Sequence, residues 1–249
     1  MIRRRVLVAL VALGAGLGHG AATAQPLVIG THAQEDTVQG RLVRNIHREA
    51  FRRIGVEVRV DVFPLQRLTM LSRSGEIDGD VARVHGYGAA HPDLVRVEEP
   101  MYALQFGLFA VKEGLQVRQL QELAGQPWRV VYLRGVALCR DGLEATLKPA
   151  QIQALNDEDQ GLDMLLADRA DLYCASDAVL EDRLSRPRYR DAPKFRLQVP
   201  LGPPLPLYAY LHRRHAELAP RLAAALRQMK AEGLIDRYRQ ESLLHQTAR

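Results

Sequence analysis

The sequence predicts an α/β protein built from two successive blocks of alternating strands and helices. The segment Val56–Phe63 alternates strictly between apolar and other side chains, which is typical of a strand with one buried face. Thr37–Ile54 carries apolar side chains at four-residue steps, which is typical of an amphipathic helix. The same alternation of elements returns from Trp128, and the segments Tyr102–Lys112 and Phe195–Tyr210 join the two blocks. The expected architecture is therefore two lobes, each with a mostly parallel sheet flanked by helices.

The first block is predicted to contain three strands and two helices. Gly55 and Gly75 end the two helices, since glycine commonly follows the last helical turn. In chain order the elements are a strand at 26–30, a helix at 37–54, a strand at 56–63, a helix at 65–74 and a strand at 77–84. This β-α-β-α-β order predicts parallel strands whose carboxyl ends share one edge of the sheet.

The second block repeats the pattern, and two helices close the chain. The predicted elements are strands at 128–133, 152–155 and 170–175, and helices at 141–147, 160–168, 178–185, 218–229 and 234–244. The domain division that follows is lobe 1 over 25–107 plus 207–249, and lobe 2 over 108–206. Because ligands of open α/β sheets bind beyond the carboxyl ends of the strands, the expected site lies in a cleft between the lobes.

Residues 1–24 have the three parts of a secretory signal peptide. Arg3–Arg5 form the basic start, Val6–Gly18 is an apolar run, and Ala22–Ala24 provides small residues for cleavage. The apolar run is too short to cross a hydrocarbon core of about 30 Å, which disfavours the alternative of a membrane anchor. Gln25 rather than cysteine follows, so no lipid attachment is expected. The mature protein is predicted to be soluble and periplasmic.

The charge of the chain argues against a nucleic-acid partner. The full sequence has a net charge of +5, but the leader carries three of its 34 basic residues, which leaves a mature net charge of +2. Basic and acidic residues interleave and form no basic stripe. A monomer with a small-molecule ligand is expected, not a membrane-spanning protein or a nucleic-acid binder.

The cysteines and histidines of the sequence are the candidates for a disulfide, a nucleophile or a metal site. Cys139 and Cys174 are the only cysteines, and in an oxidising compartment they form either a disulfide or a pair of buried free thiols. A nucleophilic cysteine is disfavoured because no histidine lies near either one in sequence. His212 and His215 have helical spacing, but no carboxylate pattern resembles a zinc signature, so no metal site is predicted.

Four stretches, taken in order, carry a family resemblance. Leu71–Gly79 (LSRSGEIDG) resembles the helix end, glycine and Gly-x-x-Asp strand start of the periplasmic solute-binding proteins of family 3, the amino-acid receptors of ABC importers. Glu99–Tyr102, Ala170–Leu180 and Leu222–Tyr238 resemble that family's acidic-Pro-Tyr-Tyr segment, second-lobe strand with its helix start, and closing helices. The likeness runs through essentially the whole mature chain and implies a type II periplasmic-binding fold.

The sequence departs from the family pattern at the positions that hold the ligand in that family. In the family an arginine within a Thr-x-x-Arg pattern holds the carboxylate of the substrate, and the matching positions here are Gly88 and His91. The first loop, from Gly30 to Thr37, also lacks the family's Pro-Phe stretch. Binding of an ordinary α-amino acid is therefore not implied by the residues.

The resemblance implies a receptor that captures a small polar, carboxylate-bearing solute, an amino acid or related compound, without a cofactor. An inner-membrane permease would be its partner. The alternative is an exported enzyme on the same fold, resembling cyclohexadienyl dehydratases, with Asp177 or Glu35 as general acid. A receptor that signals to a sensor kinase is a third possibility.

Two arginines are the candidate cations of the first block. Arg83 ends the third strand and has the donor geometry for a carboxylate, although an ion pair with Asp80 or Glu76 would explain it equally well. Arg67 lies at a helix start, where a cation opposes the helix dipole, and solvent exposure is its alternative explanation.

Uncharged and aromatic candidates lie at the predicted strand ends and at the crossover. Thr31 and His32 follow the first strand and are predicted to face the cleft or to form a polar loop. Tyr102 would stack on a ligand or pack at the crossover.

The second block has candidates at two strand ends. Arg134, Gly135 and the amides before Asp141 precede a helix and would suit an anion. Ser176 and Asp177 end another strand, where they would bind ligand, cap the next helix, or do both.

Overall fold

The computed structural model describes residues 25–112 and 117–247, so the predicted leader lies outside the described residues. The strands are β1 Leu27–Thr31, β2 Val58–Val62, β3 Gly79–Val84, β4 Leu94–Arg96, β5 Tyr102–Leu104, β6 Phe106–Ala110, β7 Val130–Leu133, β8 Ile152–Leu155, β9 Leu172–Ser176, β10 Arg196–Pro200 and β11 Leu205–His212. The α-helices are α1 Val38–Arg53, α2 Leu65–Ser74, α3 Ala137–Glu144, α4 Glu158–Leu166, α5 Asp177–Leu184, α6 Leu218–Ala231 and α7 Leu234–Thr247.

The first sheet has the strand order β2-β1-β3-β11-β4, and β5 also pairs with β11. Strands β2, β1 and β3 are parallel, as their βα connections require. Strand β11 returns from the far end of the chain and runs antiparallel to β3 and β4. The carboxyl ends of β1 and β3 therefore meet at one edge of this sheet.

The second sheet has the order β10-β6-β9-β7-β8. Strand β7 lies parallel to β8 and β9, whereas β6 is antiparallel to β9 and β10. The chain thus passes between the sheets twice, at Gln105 and again between β10 and β11. Both sheets are mixed because the parallel strands come from the βα blocks and the antiparallel strands come from the connecting segments.

Helix α1 shows how local sequence sets an element of this fold. Thr37 caps it, with its side-chain oxygen accepting the amide of Gly40 at 3.0 Å. Leu42, Ile46 and Ala50 lie on its buried face and pack in the core of the first sheet with α6 and α7. Gly55 follows the helix with a φ of +72°, a conformation that glycine adopts without steric cost.

Beyond shifts of a few residues at element ends, three differences between the predicted elements and the structure stand out. The helix predicted at 141–147 begins at Ala137, because Gly135 turns the backbone directly after β7 with a φ of +94°. Strand β4 was not predicted, since three residues are too few to show an alternation. Strands β6 and β11 cross the predicted lobe boundaries, and each hydrogen-bonds along its length within one sheet.

The hydrophobic core packed on the first sheet is separate from the cores packed on the second sheet. One cluster joins β1, β2, β3 and β11 to α1, α6 and α7. Two further clusters cover the opposite faces of the second sheet. None of the helices within the described ranges is long and apolar enough to cross a membrane.

Candidate functional site

The carboxyl edge of the first sheet brings together three of the predicted site residues. Thr31 ends β1 fully buried, and its hydroxyl accepts the amide of Ala33 at 3.1 Å. His32 follows it in an exposed loop. Arg83 lies near the end of β3 with 11% of its side chain exposed. The charge of Arg83, together with desolvation as the larger cause, lowers the pKa of His32, so the two side chains are electrostatic neighbours.

A β-bulge determines where Arg83 points. In the pairing with β11, Tyr210 lies opposite Asp80 and Tyr208 lies opposite Arg83, so β3 holds one extra residue between these pairs. Ala82, within this stretch, has a φ of +63°, which is uncommon for a residue with a side chain. Residues three apart on a regular strand point to opposite faces, and the extra residue returns Arg83 to the face that carries Asp80.

Asp80 and Arg83 form a buried ion pair. The Arg83 Nε and Nη2 atoms lie 2.8 Å and 2.7 Å from Asp80 Oδ2. Asp80 is completely buried, and its Oδ1 has no hydrogen-bond partner among the described residues. Burial raises the pKa of Asp80 to about 6, although Arg83 acts in the opposite direction. This pairing matches one of the two explanations the sequence offered for Arg83, and it occupies only part of the guanidinium.

Tyr87, which the sequence did not single out, completes this cluster. Its hydroxyl lies 3.2 Å from Thr69 Oγ1 and 3.4 Å from Asp80 Oδ2, while the Arg83 guanidinium lies 4.8 Å from the centre of its ring. The His91 ring packs 4.3 Å from the Tyr87 ring, and its buried Nδ1 has no hydrogen-bond partner in the described part of the chain. His91, which the sequence resemblance matches to the arginine of the family pattern, is thus packed on an aromatic ring.

Gly88, which the same resemblance matches to the threonine of the pattern, has surroundings that explain the absence of a side chain. A Cβ atom built on Gly88 would lie 3.0 Å from the Tyr210 ring. Tyr210 is fully buried, with its hydroxyl 2.7 Å from the carbonyl oxygen of His85 and 3.0 Å from that of Val84. The turn after β3 is therefore packed around Tyr210.

Arg67 is separate from this cluster. It lies exposed in the first turn of α2 and makes no hydrogen bond or ion pair with the described residues. The predicted role of Arg67 in binding therefore stays a prediction, with exposure as its alternative.

Predicted residues of the second sheet lie at the ends of β7 and β9. Arg134 is exposed after β7, with its Nε 3.0 Å from Asn156 Oδ1, and Gly135 lies two residues before the start of α3. Ser176 caps α5 by accepting the amide of Val179 at 3.3 Å. Asp177 Oδ1 accepts the amide of Ala178 at 2.8 Å and that of Gln105, at the crossover, at 3.1 Å. Capping, one of the two roles expected here, is observed.

A group of polar contacts links the two sheets near Tyr102. The Tyr102 hydroxyl accepts a hydrogen bond from Gln39 Nε2 at 3.0 Å, and burial raises its pKa to about 12. Arg239 on α7 contacts Glu181 at 2.5 Å and Asp177 at 3.3 Å. The sequence gives no signal for this group, because its members lie far apart along the chain, on α1, β5, α5 and α7.

The two candidate general acids, Glu35 and Asp177, are engaged in other contacts. Glu35 forms an ion pair with Arg44 at 2.8 Å and is 72% exposed. Asp177 holds the two backbone amides and Arg239 described above. Within the described residues, no three side chains of His, Cys, Asp or Glu are grouped as metal ligands would be. His215 instead contacts Asp78 Oδ1 at 2.7 Å, beside Arg214.

Cys139 on α3 and Cys174 on β9 form a disulfide in this structure, with Cα atoms 5.9 Å apart. Both residues are buried in the second-sheet core. The bond therefore ties the helix that follows Gly135 to the central strand of that sheet.

Comparison with known proteins supports the fold. No family model matches the chain. An uncharacterised protein of Shewanella oneidensis is 28% identical over 200 residues, which are 79% of this chain and 74% of that protein. Among solved structures, the second substrate-binding domain of a putative amino-acid ABC transporter from Streptococcus pneumoniae has a TM-score of 0.66 at 16% identity, over 87% of this chain and 99% of that one.

Two further similar structures are those of amino-acid-binding proteins. The GluR0 ligand-binding core in complex with L-glutamate has a TM-score of 0.66 at 11% identity, covering 89% of this chain and 99% of that one. An ancestral cationic amino acid solute-binding protein has a TM-score of 0.68 at 13% identity, covering 88% and 95%. At these identities the likeness defines architecture. The chain has the two-lobed α/β fold of the substrate-binding domains of amino-acid ABC transporters.

Proposed function

We propose that this protein is a periplasmic solute-binding protein that captures a small polar, carboxylate-bearing solute, an amino acid or a related compound, for an ABC-type importer. The shared fold, the leader-like first 24 residues and the resemblance of the motifs support a receptor of this kind. Because one scaffold hosts many functions, the residues at the carboxyl edge must carry the argument for the ligand.

The observation that carries the proposal is the state of Arg83. Its Nε and Nη2 are engaged by Asp80, whereas its Nη1 has no partner among the described residues. A guanidinium offers five N–H donors, and it recognises carboxylates through charge-assisted hydrogen bonds. Arg83 therefore retains donors at the edge of the sheet where ligands of this architecture bind.

Arg83 replaces a clamp that this chain lacks. The positions of the usual threonine and arginine are Gly88 and His91, both packed on aromatic rings. A carboxylate held from Arg83 would sit nearer the end of β3 than one held from residue 91. The solute class therefore includes amino acids, hydroxy acids and aromatic acids. One structural neighbour holds L-glutamate and another is named for cationic amino acids. The side chains of these amino acids are opposite in charge, so the fold does not select among them.

Binding would be completed by the second sheet. Arg134, Gly135, Ser176 and Asp177 lie at the ends of β7 and β9, and His32, Arg67 and Tyr102 contribute from the first-sheet side and the crossover. Contacts made by both lobes favour the closed state, and a ligand drives closure only by its greater affinity for that state. A permease would then recognise the closed form.

The test begins with ligand identification. Native mass spectrometry of the purified protein would detect a co-purified solute. Thermal shift assays would then compare L-glutamate, L-arginine, L-phenylalanine, L-lactate and benzoate. Recovery of the bound compound unchanged after long incubation is expected for a receptor, whereas conversion of that compound would support the enzyme alternative.

Arg83→Ala is the decisive variant. Loss of one partner of a desolvated charge pair costs about 2–5 kcal/mol, which corresponds to a loss of affinity of roughly 30-fold to several thousandfold. Arg83→Lys should restore only part of the lost affinity, because an ammonium group lacks the planar fork of donors of a guanidinium. Arg190→Ala, at an exposed arginine without a described side-chain partner, is the matched control and should bind as wild type.

Calorimetry with the identified solute supplies the measurement. Because Arg83→Ala leaves Asp80 buried without its cation, the double variant Arg83→Ala/Asp80→Asn separates loss of binding from loss of folding. If folded Arg83→Ala binds within about twofold of wild type, a difference of under ~0.5 kcal/mol, Arg83 is only the partner of Asp80. Arg67→Ala would then be tested next.

A further inference from the structure

The Asp80–Arg83 pair poses a problem for any anionic ligand. Asp80 is completely buried and directs Oδ2 at both Nε and Nη2 of Arg83. The other carboxylate oxygen, Oδ1, is buried without a hydrogen-bond partner among the described residues. A ligand carboxylate on Nη1 would place a second anion on the guanidinium that already neutralises Asp80.

We propose that binding of a carboxylate at Arg83 is coupled to the uptake of one proton by Asp80. This inference rests on the proposed function, because it assumes that Arg83 holds the ligand. The proton comes from solvent and is bound by the Asp80 carboxyl group, and no covalent bond of the ligand changes. Asp80 then acts as a positioning residue whose protonation state sets how much of the Arg83 charge is available.

The physical reason is competition between two like charges for one cation. A second carboxylate within about 4–6 Å disfavours ionisation of the first and raises its pKa. Ligand binding also excludes water from a pair that has little exposure, which strengthens the repulsion. Burial has already raised the pKa of Asp80 to about 6 in the free protein. A further rise of about two pH units on ligand binding would keep it protonated through neutral pH.

Other titratable groups face this pair and must be separated from Asp80. Tyr87 lies in the turn after β3, and burial raises its pKa. Tyr210 on β11 lies opposite Asp80 in the sheet register. His32 and His91 are the groups that would gain positive charge in acid. Desolvation lowers the pKa of both, with contributions from Arg83 and, for His91, from Arg73.

The experiment measures affinity as a function of pH with a defined probe. The probe is the carboxylate of the five-compound panel that gives the largest thermal shift, and its primary amide is the control that lacks this carboxylate. Between about pH 6 and about pH 8 the Kd of the carboxylate should rise about tenfold per pH unit, with the rise ending at the pKa of Asp80 in the complex. The affinity of the amide should lack this tenfold rise, since it brings no carboxylate to Arg83.

Calorimetry in two buffers of different ionisation enthalpy counts the protons directly. Wild type should take up close to one proton per carboxylate bound near neutral pH. Asp80→Asn mimics the protonated acid, so it should bind the carboxylate without proton uptake and, at about pH 8, more tightly than wild type. His32→Gln and His91→Gln should retain both the proton uptake and the pH dependence.

Three outcomes would overturn the inference while leaving the proposed function intact: an Arg83-dependent affinity that does not vary with pH, a pH dependence that disappears in His32→Gln or His91→Gln, or weaker binding by folded Asp80→Asn at every pH. If Asp80→Asn does not fold, the measurements on wild type and on the histidine variants still test whether binding is coupled to proton uptake. Failure of every carboxylate to bind wild type would instead reject the proposed function. Binding unaffected by Arg83→Ala would reject Arg83 as the residue that holds the ligand, and with it this inference.

Discussion

At the scale of single residues, buried ionisable groups make the stability of this protein depend on pH. His47 on α1 is 3% exposed, and its Nδ1 lies 2.7 Å from the carbonyl oxygen of Val43. Burial lowers its pKa to about 4, since the charged ring would lose its hydration. Asp80 is the opposite case, because burial disfavours its charged form and raises its pKa to about 6.

We expect His47 to reduce stability in acid. The unfolded chain binds a proton at this residue near pH 6.5 and the folded chain only near pH 4, so the free energy of unfolding falls as pH decreases across that window. The full effect is about 3 kcal/mol. Asp80 opposes it, since its contribution to stability is present in acid and is lost as pH rises through about 6.

Urea unfolding at several pH values tests both signs. His47→Leu should flatten the decline in unfolding free energy between about pH 6.5 and pH 4 relative to wild type. Asp80→Asn should make that decline steeper, because the opposing group is removed. An unchanged pH dependence in His47→Leu would show that the ring is protonated in the folded state or that another group dominates.

At the scale of secondary-structure elements, the first turn of α1 depends on a residue distant in sequence. The Val38 amide donates to Asp182 Oδ1 at 2.9 Å, although Asp182 lies on α5, 144 residues away. A carboxylate at a helix N-terminus satisfies a free donor and interacts favourably with the helix dipole. Asp182 also binds Arg186 Nη2 at 3.0 Å, which holds it in place.

Asp182→Ala should therefore destabilise the protein by about 1–2 kcal/mol and speed hydrogen exchange at the Val38 amide. Asp182→Asn should recover part of the loss, since an amide oxygen can still accept. Denaturant unfolding and exchange mass spectrometry give the two measurements. The control is Asp191→Ala at an exposed aspartate. Equal stability of the two alanine variants would show that α1 does not need this cap.

At the scale of the whole molecule, the predicted leader and the disulfide both indicate that the protein is exported to an oxidising compartment. A chain exported by residues 1–24 reaches an oxidising environment, where a disulfide between Cys139 and Cys174 persists. These cysteines are 35 residues apart, and closing a loop of that length in the unfolded chain stabilises the folded state by about 4 kcal/mol. Export and stability are thus linked through the second sheet.

Expression of the full chain in a Gram-negative host should yield a periplasmic protein that begins at Gln25 and has no free thiol. Intact mass and thiol titration under denaturing conditions provide the test. The matched control is residues 25–249 expressed in the reducing cytosol, which should expose two thiols and melt at a lower temperature. A periplasmic protein that retains the leader, or that titrates two thiols, contradicts the prediction.

Local patterns along the chain were sufficient for most elements of the fold. The helix predicted at 65–74 matches α2 at both ends, because Pro64 and Gly75 bound it, and the strand predicted at 152–155 matches β8. The apolar spacing in α1 likewise reflects a single buried face. Such features depend on backbone propensity and hydrophobic period, which neighbouring residues express directly.

The sequence by itself therefore determined the order of elements, the α/β class and the presence of Arg83 at the end of a strand. Only the tertiary structure decided that a bulge at Ala82 turns Arg83 onto Asp80, that His91 and Gly88 pack against Tyr87 and Tyr210, and that Asp182 caps α1. The physical reason is that these contacts join residues from separate strands and helices. Their energies depend on register, burial and local dielectric, which exist only once the chain has folded.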